Sequence, residues 1–262
     1  MNNFVSKFGP WALVTGASSG IGAEFCRQLA EKGLNIIMTA RRKDRMEELA
    51  DEIRKNYDVN IKIIPADLSK DGFLDSLLPE INSREIGLLI NNAGFGNTGT
   101  FLDNNIEKEL DLVNVNCKAP ILLTHMIGKR MRERKKGGIV VVSSVLGFIS
   151  APFFANYTAS KAFDLHFGEA LHYELKNYGV FVQTLCPGLT ATEFSSVSGQ
   201  GEQGGMTANK VVCRSISKFG KKTIVIAGMK NRIAVCLFRM FPRRILTALI
   251  NIIMRNRKKY RD

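Results

Sequence analysis

Six short apolar runs constrain what this chain can fold into: WALVT at 11–15, NIIMT at 35–39, IKIIPA at 61–66, GLLIN at 87–91, GIVVVSS at 138–144 and VFVQTLC at 180–186. Most do not alternate apolar with polar residues, as a strand with one wet face does, so they suit strands buried on both faces. The stretches between them, 20–32, 43–57, 70–83, 105–134 and 156–178, are long enough for crossover helices. Such repetition predicts an α/β fold, a doubly wound parallel sheet of at least six strands, with TIVIAG at 223–228 as a seventh. Ser69 and Thr207 stand where helix N-caps belong, and Gly33 and Gly179 close helical stretches just before strands. No Pro, Gly and Ser-rich linker divides the chain before residue 193, so 1–230 is expected to be one domain. Residues 193–205 (EFSSVSGQGEQGG) are expected to form a mobile loop, either a surface connection or a lid.

The formal charge of +13 misleads about this body. Residues 221–262 carry 12 Lys and Arg against Asp262 alone, which leaves 25 basic against 23 acidic side chains in 1–220. A nucleic-acid binder spreads its basic footprint over a folded face, and this body is nearly neutral, so nucleic acid is not an expected partner. The five cysteines are widely spaced and form no CxxC, which suits a reducing, cytoplasmic setting better than a disulfide framework. The opening residues do not read as a charged segment followed by an apolar one, and no apolar run reaches the ~18–20 residues needed to span a bilayer, so neither secretion nor a transmembrane anchor is expected. His125, His166 and His172 lack metal-ligand spacing and no GxSxG elbow is present, so neither a metal route nor an acyl-enzyme route is indicated.

After the first run the chain reads Thr15-Gly16-Ala17-Ser18-Ser19-Gly20-Ile21-Gly22 and enters a helical stretch. Glycines there let the backbone approach a pyrophosphate closely, and the free N–H groups of a helix N-terminus hold the anion. The spacing TGxxxGxG differs from the common GxGxxG and resembles the short-chain dehydrogenase/reductase family. At the end of the second run Thr39-Ala40-Arg41-Arg42-Lys43 offers no carboxylate for a ribose 2′-hydroxyl. Arg41 and Arg42 instead present planar donor forks suited to a 2′-phosphate, so NADP(H) is expected over NAD(H).

The resemblance extends through the chain to about residue 228. Asp67, with Leu68 beside it, resembles the adenine-binding acid of the family, and Asn91-Asn92-Ala93-Gly94 matches its NNAG motif. Pro187-Gly188-Leu189-Thr190-Ala191-Thr192 matches PGxxxT, which implies contacts of Pro187, Gly188, Thr190 and Thr192 with the nicotinamide end of the cofactor. Tyr157 and Lys161 lie four apart and share one helix face. The ammonium is expected to favour phenolate and draw Tyr157 toward the working range. Ser144, thirteen residues before Tyr157, matches the substrate-orienting serine, and Asn116 matches the asparagine that holds a water in a proton relay. The implied activity is hydride transfer between NADP(H) and a carbonyl or secondary alcohol, with Asn116, Ser144, Tyr157 and Lys161 as the catalytic set. A cofactor-binding regulatory or scaffold protein is the competing class, and it has no need of those four residues together.

Leu146, Phe148, Phe153, Phe154 and Phe194, with Met206 at the end of the loop, are candidates for an apolar substrate pocket shared with Ser144. They favour a hydrophobic carbonyl of lipid, fatty-acyl or steroid type over a charged one. The extension 231–262 combines apolar helical runs with basic residues, with Arg244, Thr247, Asn251 and Arg255 on one narrow polar stripe. Packing on this or a second subunit, lying at a membrane interface, and a disordered basic end all remain open. The family resemblance implies a homodimer or homotetramer built on the helices at 105–134 and 156–178.

Overall fold

The structure, a computed structural model, describes residues 3–194, 198 and 204–255. A short helix α1 (Asn3–Phe8) precedes β1 (Trp11–Thr15), and the chain then alternates strictly: α2 (Gly20–Glu31), β2 (Asn35–Ala40), α3 (Lys43–Asn56), β3 (Ile61–Pro65), α4 (Phe73–Ser83) and β4 (Ile86–Asn91). The second half runs α5 (Ile106–Val113), α6 (Ala119–Arg134), β5 (Gly137–Val142), α7 (Ala155–Leu175) and β6 (Val180–Cys186). There follow a two-strand ribbon of β7 (Thr190–Ala191) and β8 (Met206–Thr207), then α8 (Ala208–Lys218) and β9 (Ile224–Ile226). Two helices, α9 (Met229–Met240) and α10 (Arg243–Arg255), close the described chain.

Seven strands pair in parallel in the order β3-β2-β1-β4-β5-β6-β9, so the TIVIAG run is the seventh strand. Successive side chains of each strand enter opposite layers. Val14, Ile36, Met38, Ile90 and Val140 pack with Phe25 and Leu29 of α2 and Val212 of α8, whereas Leu13, Ile37, Leu89 and Val141 pack with Leu77 of α4 and Leu123 and Ile127 of α6. That double burial explains why the runs do not alternate. A fully buried side chain of this size contributes about 1.5–3 kcal/mol relative to an exposed one, which is why the central strands tolerate so few polar residues.

The chain winds from β1 outward through β2 and β3, then returns to place β4 on the other side of β1. A reversal of this kind opens a crevice beyond the carboxyl ends of the strands. Thr15 holds it together: its hydroxyl donates to Ile90 O at 3.2 Å and accepts from the N–H groups of Asn92 and Ala93, both at 2.9 Å.

Two local expectations hold and two are corrected. Thr207 caps α8 by accepting from Lys210 N, and Gly33, at φ 88°, follows α2 with its N–H on Ala30 O. Ser69 caps no helix, because its N–H and hydroxyl both donate to Asp67 Oδ1, at 3.0 and 2.9 Å, and α4 begins later behind a left-handed Gly72. A short polar side chain has competed locally with helix capping. The stretch 105–134 is no single helix: one wide turn, Asn114–Lys118 with i to i+5 bonding, separates α5 from α6 and carries Asn116.

Candidate active site

One cavity of about 620 Å³ lies beyond the carboxyl ends of β1, β4, β5 and β6, within the usual size range of small-molecule sites. At one end is the turn between β1 and α2. Gly16 has φ 67°, and a Cβ there would lie 2.8 Å from Asn92 Nδ2, so this backbone position excludes other residues. Gly22 does not line the cavity; a Cβ on it would collide with the Gly16 carbonyl oxygen, so its role is to let α2 close on the turn. Gly16, Ser18, Ser19, Gly20 and Ile21 all face the cavity.

Arg41 and Arg42 reach its rim together with these serines. Arg42 Nη2 donates to Ser19 Oγ at 2.9 Å, and Arg42 Nη1 pairs with Glu193 Oε2 at 2.8 Å. Arg42 holds the Glu193 carboxyl below the ordinary range, with Arg45 adding to the effect. Asp67 and Leu68 line the neighbouring wall. Two serine hydroxyls and two guanidinium forks beside an open glycine turn form a donor set that fits a phosphorylated ribose and pyrophosphate, and Asp67 supplies an acceptor for an exocyclic amine.

The NNAG segment divides its labour. Ala93 and Gly94 line the cavity, but the buried Asn91 side chain donates to Thr124 Oγ1 on α6 at 2.9 Å, so it supports the strand rather than facing the site. A residue that ends a strand alternates sides, and it is Asn92 that faces the cavity while its Nδ2 donates to Thr15 O at 2.8 Å. Asn92, held in place by Thr15, therefore lines the site, although only Asn91, Ala93 and Gly94 of this segment are expected from the sequence to do so.

At the other end stand Ser144, just past β5, and Tyr157 and Lys161 on α7. Tyr157 is 6% exposed and shares the cavity with Ser144, whose hydroxyl favours the phenolate form. Burial pushes the phenol above its usual value, and Lys161 and Ser144 pull the other way without prevailing. Lys161 thus acts in the expected direction, but the expected net movement of Tyr157 toward the working range is corrected, because desolvation disfavours phenolate more than Lys161 favours it. Lys161 Nζ donates to Val142 O at 2.9 Å and to Asp164 Oδ2 at 2.8 Å. Ser143 Oγ donates to Lys161 O at 2.6 Å and fixes the helix against the strand end.

Asn116 is buried outside the cavity lining. Its Nδ2 donates to Phe95 O at 3.1 Å and to Ser160 Oγ at 2.9 Å, and its Oδ1 accepts from Phe95 N. A Cβ on Gly94 would stand 3.1 Å from Asn116 Oδ1 and 3.4 Å from Lys161 Nζ, so these two groups meet across that glycine.

Pro187, Gly188, Thr190 and Thr192 line the roof, and Thr192 packs over Gly20. Of the apolar candidates, Leu146, Phe154 and Phe194 line the cavity; the Phe154 and Phe194 rings lie 5.5 and 5.4 Å from that of Tyr157. Phe148 does not: its ring carries the Arg239 guanidinium at 5.1 Å. Phe153, at φ 63°, packs beside the cluster without lining the cavity, and Met206 packs into the α2 layer. Sequence proximity to Tyr157 could not separate these fates, which depend on how the loop turns. The wall is completed by Val145, Ala151, Leu189 and, from α10, Ile250 and Met254. Of the proposed loop only Glu193, Phe194, Ser198, Gly204 and Gly205 are described; its other residues, like 256–262 of the basic end, lie outside the described residues.

Known proteins agree with this geometry. Hydroxysteroid dehydrogenase-like protein 1 of Gallus gallus is 37% identical over 199 residues, which cover 75% of this chain and 60% of that protein. This chain thus spans about 60% of the length of the curated relatives it first matches. A solved 7β-hydroxysteroid dehydrogenase superposes with a TM-score of 0.88 at 30% identity, over 95% of this chain and 99% of that one. A short-chain dehydrogenase from Sphingobium yanoikuyae in complex with NADPH superposes at 0.80 with 31% identity, over 84% and 89%. The family profile described as short chain dehydrogenase matches residues 10–203, and the chain belongs to that family.

Proposed function

We propose that this protein is an NADP(H)-dependent oxidoreductase that interconverts a bulky apolar ketone and its secondary alcohol. The observation that carries the reading is that one cavity joins Ser144, Tyr157 and Lys161 to the glycine turn and to Arg41 and Arg42. An idle dinucleotide-binding scaffold has no need of the first three groups. The NADPH complex of the Sphingobium relative supports the cofactor choice, and the 7β-hydroxysteroid dehydrogenase relative supports a bulky apolar substrate.

When bound, NADPH supplies the hydride. Tyr157 donates its phenolic proton to the carbonyl oxygen, and Ser144 directs a hydrogen bond at the same oxygen. Burial keeps Tyr157 protonated at neutral pH, the form that reduction requires. Lys161 uses two of its three N–H donors on Val142 O and Asp164, which leaves one for a ribose hydroxyl. Asn116 braces the Phe95 backbone against Ser160 and α7, and its place beside Lys161 suits a water relay. The exposed apolar residues Leu110, Val113 and Ile121 of α5 and α6, with Tyr173 of α7, support assembly as a dimer through these helices.

The test is a series of ketones of increasing bulk, followed by loss of NADPH absorbance, with wild type and Tyr157→Phe. The variant retains NADPH binding and loses about 10²–10⁴-fold in turnover. Undiminished turnover would refute the assignment.

A further inference from the structure

We infer that α9 and α10 form a docking surface for an anionic lipid membrane. The orientation of α10 is the starting observation. Its body-facing side carries the buried Met254 and the half-buried Thr247, Ile250 and Asn251. Its outward side carries Ile245, Ala248, Leu249, Ile252 and Ile253, all exposed, so the middle of the polar stripe, Thr247 and Asn251, is turned inward, Arg244 and Arg255 at its ends stay exposed, and the apolar face looks toward solvent. A helix that only capped a soluble body would be placed the other way round.

On α9 the same pattern recurs: Met229, Ile233, Leu237 and Met240 follow a spacing of four, four and three, and all are exposed, while Val235 packs inward. Half of the 18 exposed large apolar side chains among the described residues fall between 229 and 255. Surface of this extent calls for an occupant.

Charge selects which one. Residues 229–255 contain Lys230, Arg232, Arg239, Arg243, Arg244 and Arg255, and no acidic residue. All six basic side chains are exposed. A second copy docked through this face would set like charges against each other across a two-fold axis, with no carboxylate to separate them. Anionic headgroups match the cations, and the acyl boundary matches the apolar faces between them. No helix among the described residues is long and apolar enough to cross a membrane, so the contact lies in the plane of the interface. Because Ile250 and Met254 on the inner side of α10 line the cavity, the substrate pocket would open beside the lipid phase.

The experiment is cosedimentation of the full chain with phosphatidylcholine vesicles and with mixed phosphatidylcholine–phosphatidylglycerol vesicles at low and high salt. This readout does not depend on any turnover. Wild type should bind the anionic vesicles, weakly bind the neutral ones, and lose binding as salt rises. Arg243→Glu with Arg244→Glu should reduce anionic-vesicle partitioning by at least about tenfold. Ile245→Ser with Leu249→Ser and Ile253→Ser should also reduce it, with melting temperature and NADPH binding retained as controls of folding. Absence of binding to anionic vesicles, or binding unaffected by both variants, overturns the inference. A fall in oligomeric mass of the serine variant without vesicles would assign the face to a second copy and overturn it equally.

Discussion

Lys161 Nζ lies 2.8 Å from Asp164 Oδ2, less than one turn along α7, and both side chains are buried. Asp164 is 2% exposed, and its Oδ1 has no hydrogen-bond partner among the described residues. Burial pushes the Asp164 carboxyl up to about 6, with Lys161 partly restraining it. Burial also pulls on the Lys161 ammonium, but Asp164 and then Tyr157 outweigh this and hold it above its ordinary value. Asp164 thus secures the charge on Lys161 while adding to the upward shift of Tyr157.

Asp164→Asn should therefore move the alkaline limb of the reductive pH profile to lower pH. Reduction needs neutral Tyr157 and charged Lys161, and loss of the carboxylate makes both groups give up their protons more readily. The stability consequence has a defined sign. A carboxyl whose folded pKa is raised from about 3.9 contributes stability that is complete below that value and lost as pH rises through about 6. Melting temperature measured from about pH 4 to 7 should show this decline in wild type and a flatter profile in Asp164→Asn. Identical kinetic and thermal profiles would remove Asp164 from any positioning role.

Arg42 divides its guanidinium between Ser19 and Glu193. A 2′-phosphate would have to take the place of Glu193, so Arg42→Ala should raise KM for NADPH by about ten- to a hundredfold, the worth of a hydrogen bond to a charged group. KM for NADH should stay nearly constant. Glu193→Gln should lower KM for NADPH by removing the competitor. Equal losses with both cofactors in Arg42→Ala would show that the arginine supports the turn and does not read the phosphate.

Much of this architecture was legible because its cause is local. Strands buried on both faces write themselves as unbroken apolar runs, and the glycine turn announces itself because Gly16 and Gly22 admit no Cβ. Ser144, Tyr157 and Lys161 could be paired in sequence because their spacing resembles the family's, and β5 and α7, which follow one another in the chain, carry that spacing to one end of the cavity. What escaped depends on non-local geometry. Asn91 and Asn92 are the same residue type, and only the strand's exit direction decides which faces the cavity. Phe153 adjoins Phe154 in sequence and Phe148 lies nine residues before Tyr157, yet of the three only Phe154 turns inward. The net direction of the Tyr157 shift required the degree of burial, which a four-residue spacing does not contain. Ile250 and Met254 arrive from the far end of the chain.

Gly22→Ala tests the closest packing at the glycine turn. The added methyl would meet the Gly16 carbonyl oxygen and Asn92 Nδ2, which are backbone and a hydrogen-bonded side chain that cannot both retreat. Overpacking of this kind costs about 1–3 kcal/mol. Melting temperature should fall and affinity for NADPH and NADH should fall together, because the shared pyrophosphate cradle is displaced. Selective loss of one cofactor would place Gly22 in phosphate reading instead.

Met254 tests whether α10 is a working wall of the substrate pocket. It packs in one cluster with Leu112, Ala151, Phe154 and Tyr157 and is 9% exposed. Met254→Ala removes apolar surface on the substrate side while leaving the glycine turn and the arginine rim untouched. For a bulky apolar ketone that reaches this wall, loss of about two to three methylenes of contact, near 0.8 kcal/mol each, should raise KM by about tenfold or more. A small ketone held at Tyr157 and Ser144 need not touch Met254, so its kcat/KM should change little. NADPH affinity should also be preserved, which distinguishes a pocket effect from general loosening. Parallel losses for small and bulky ketones would mean that Met254 supports Tyr157 through Phe154, and that the substrate binds on the Leu189 side of the cavity.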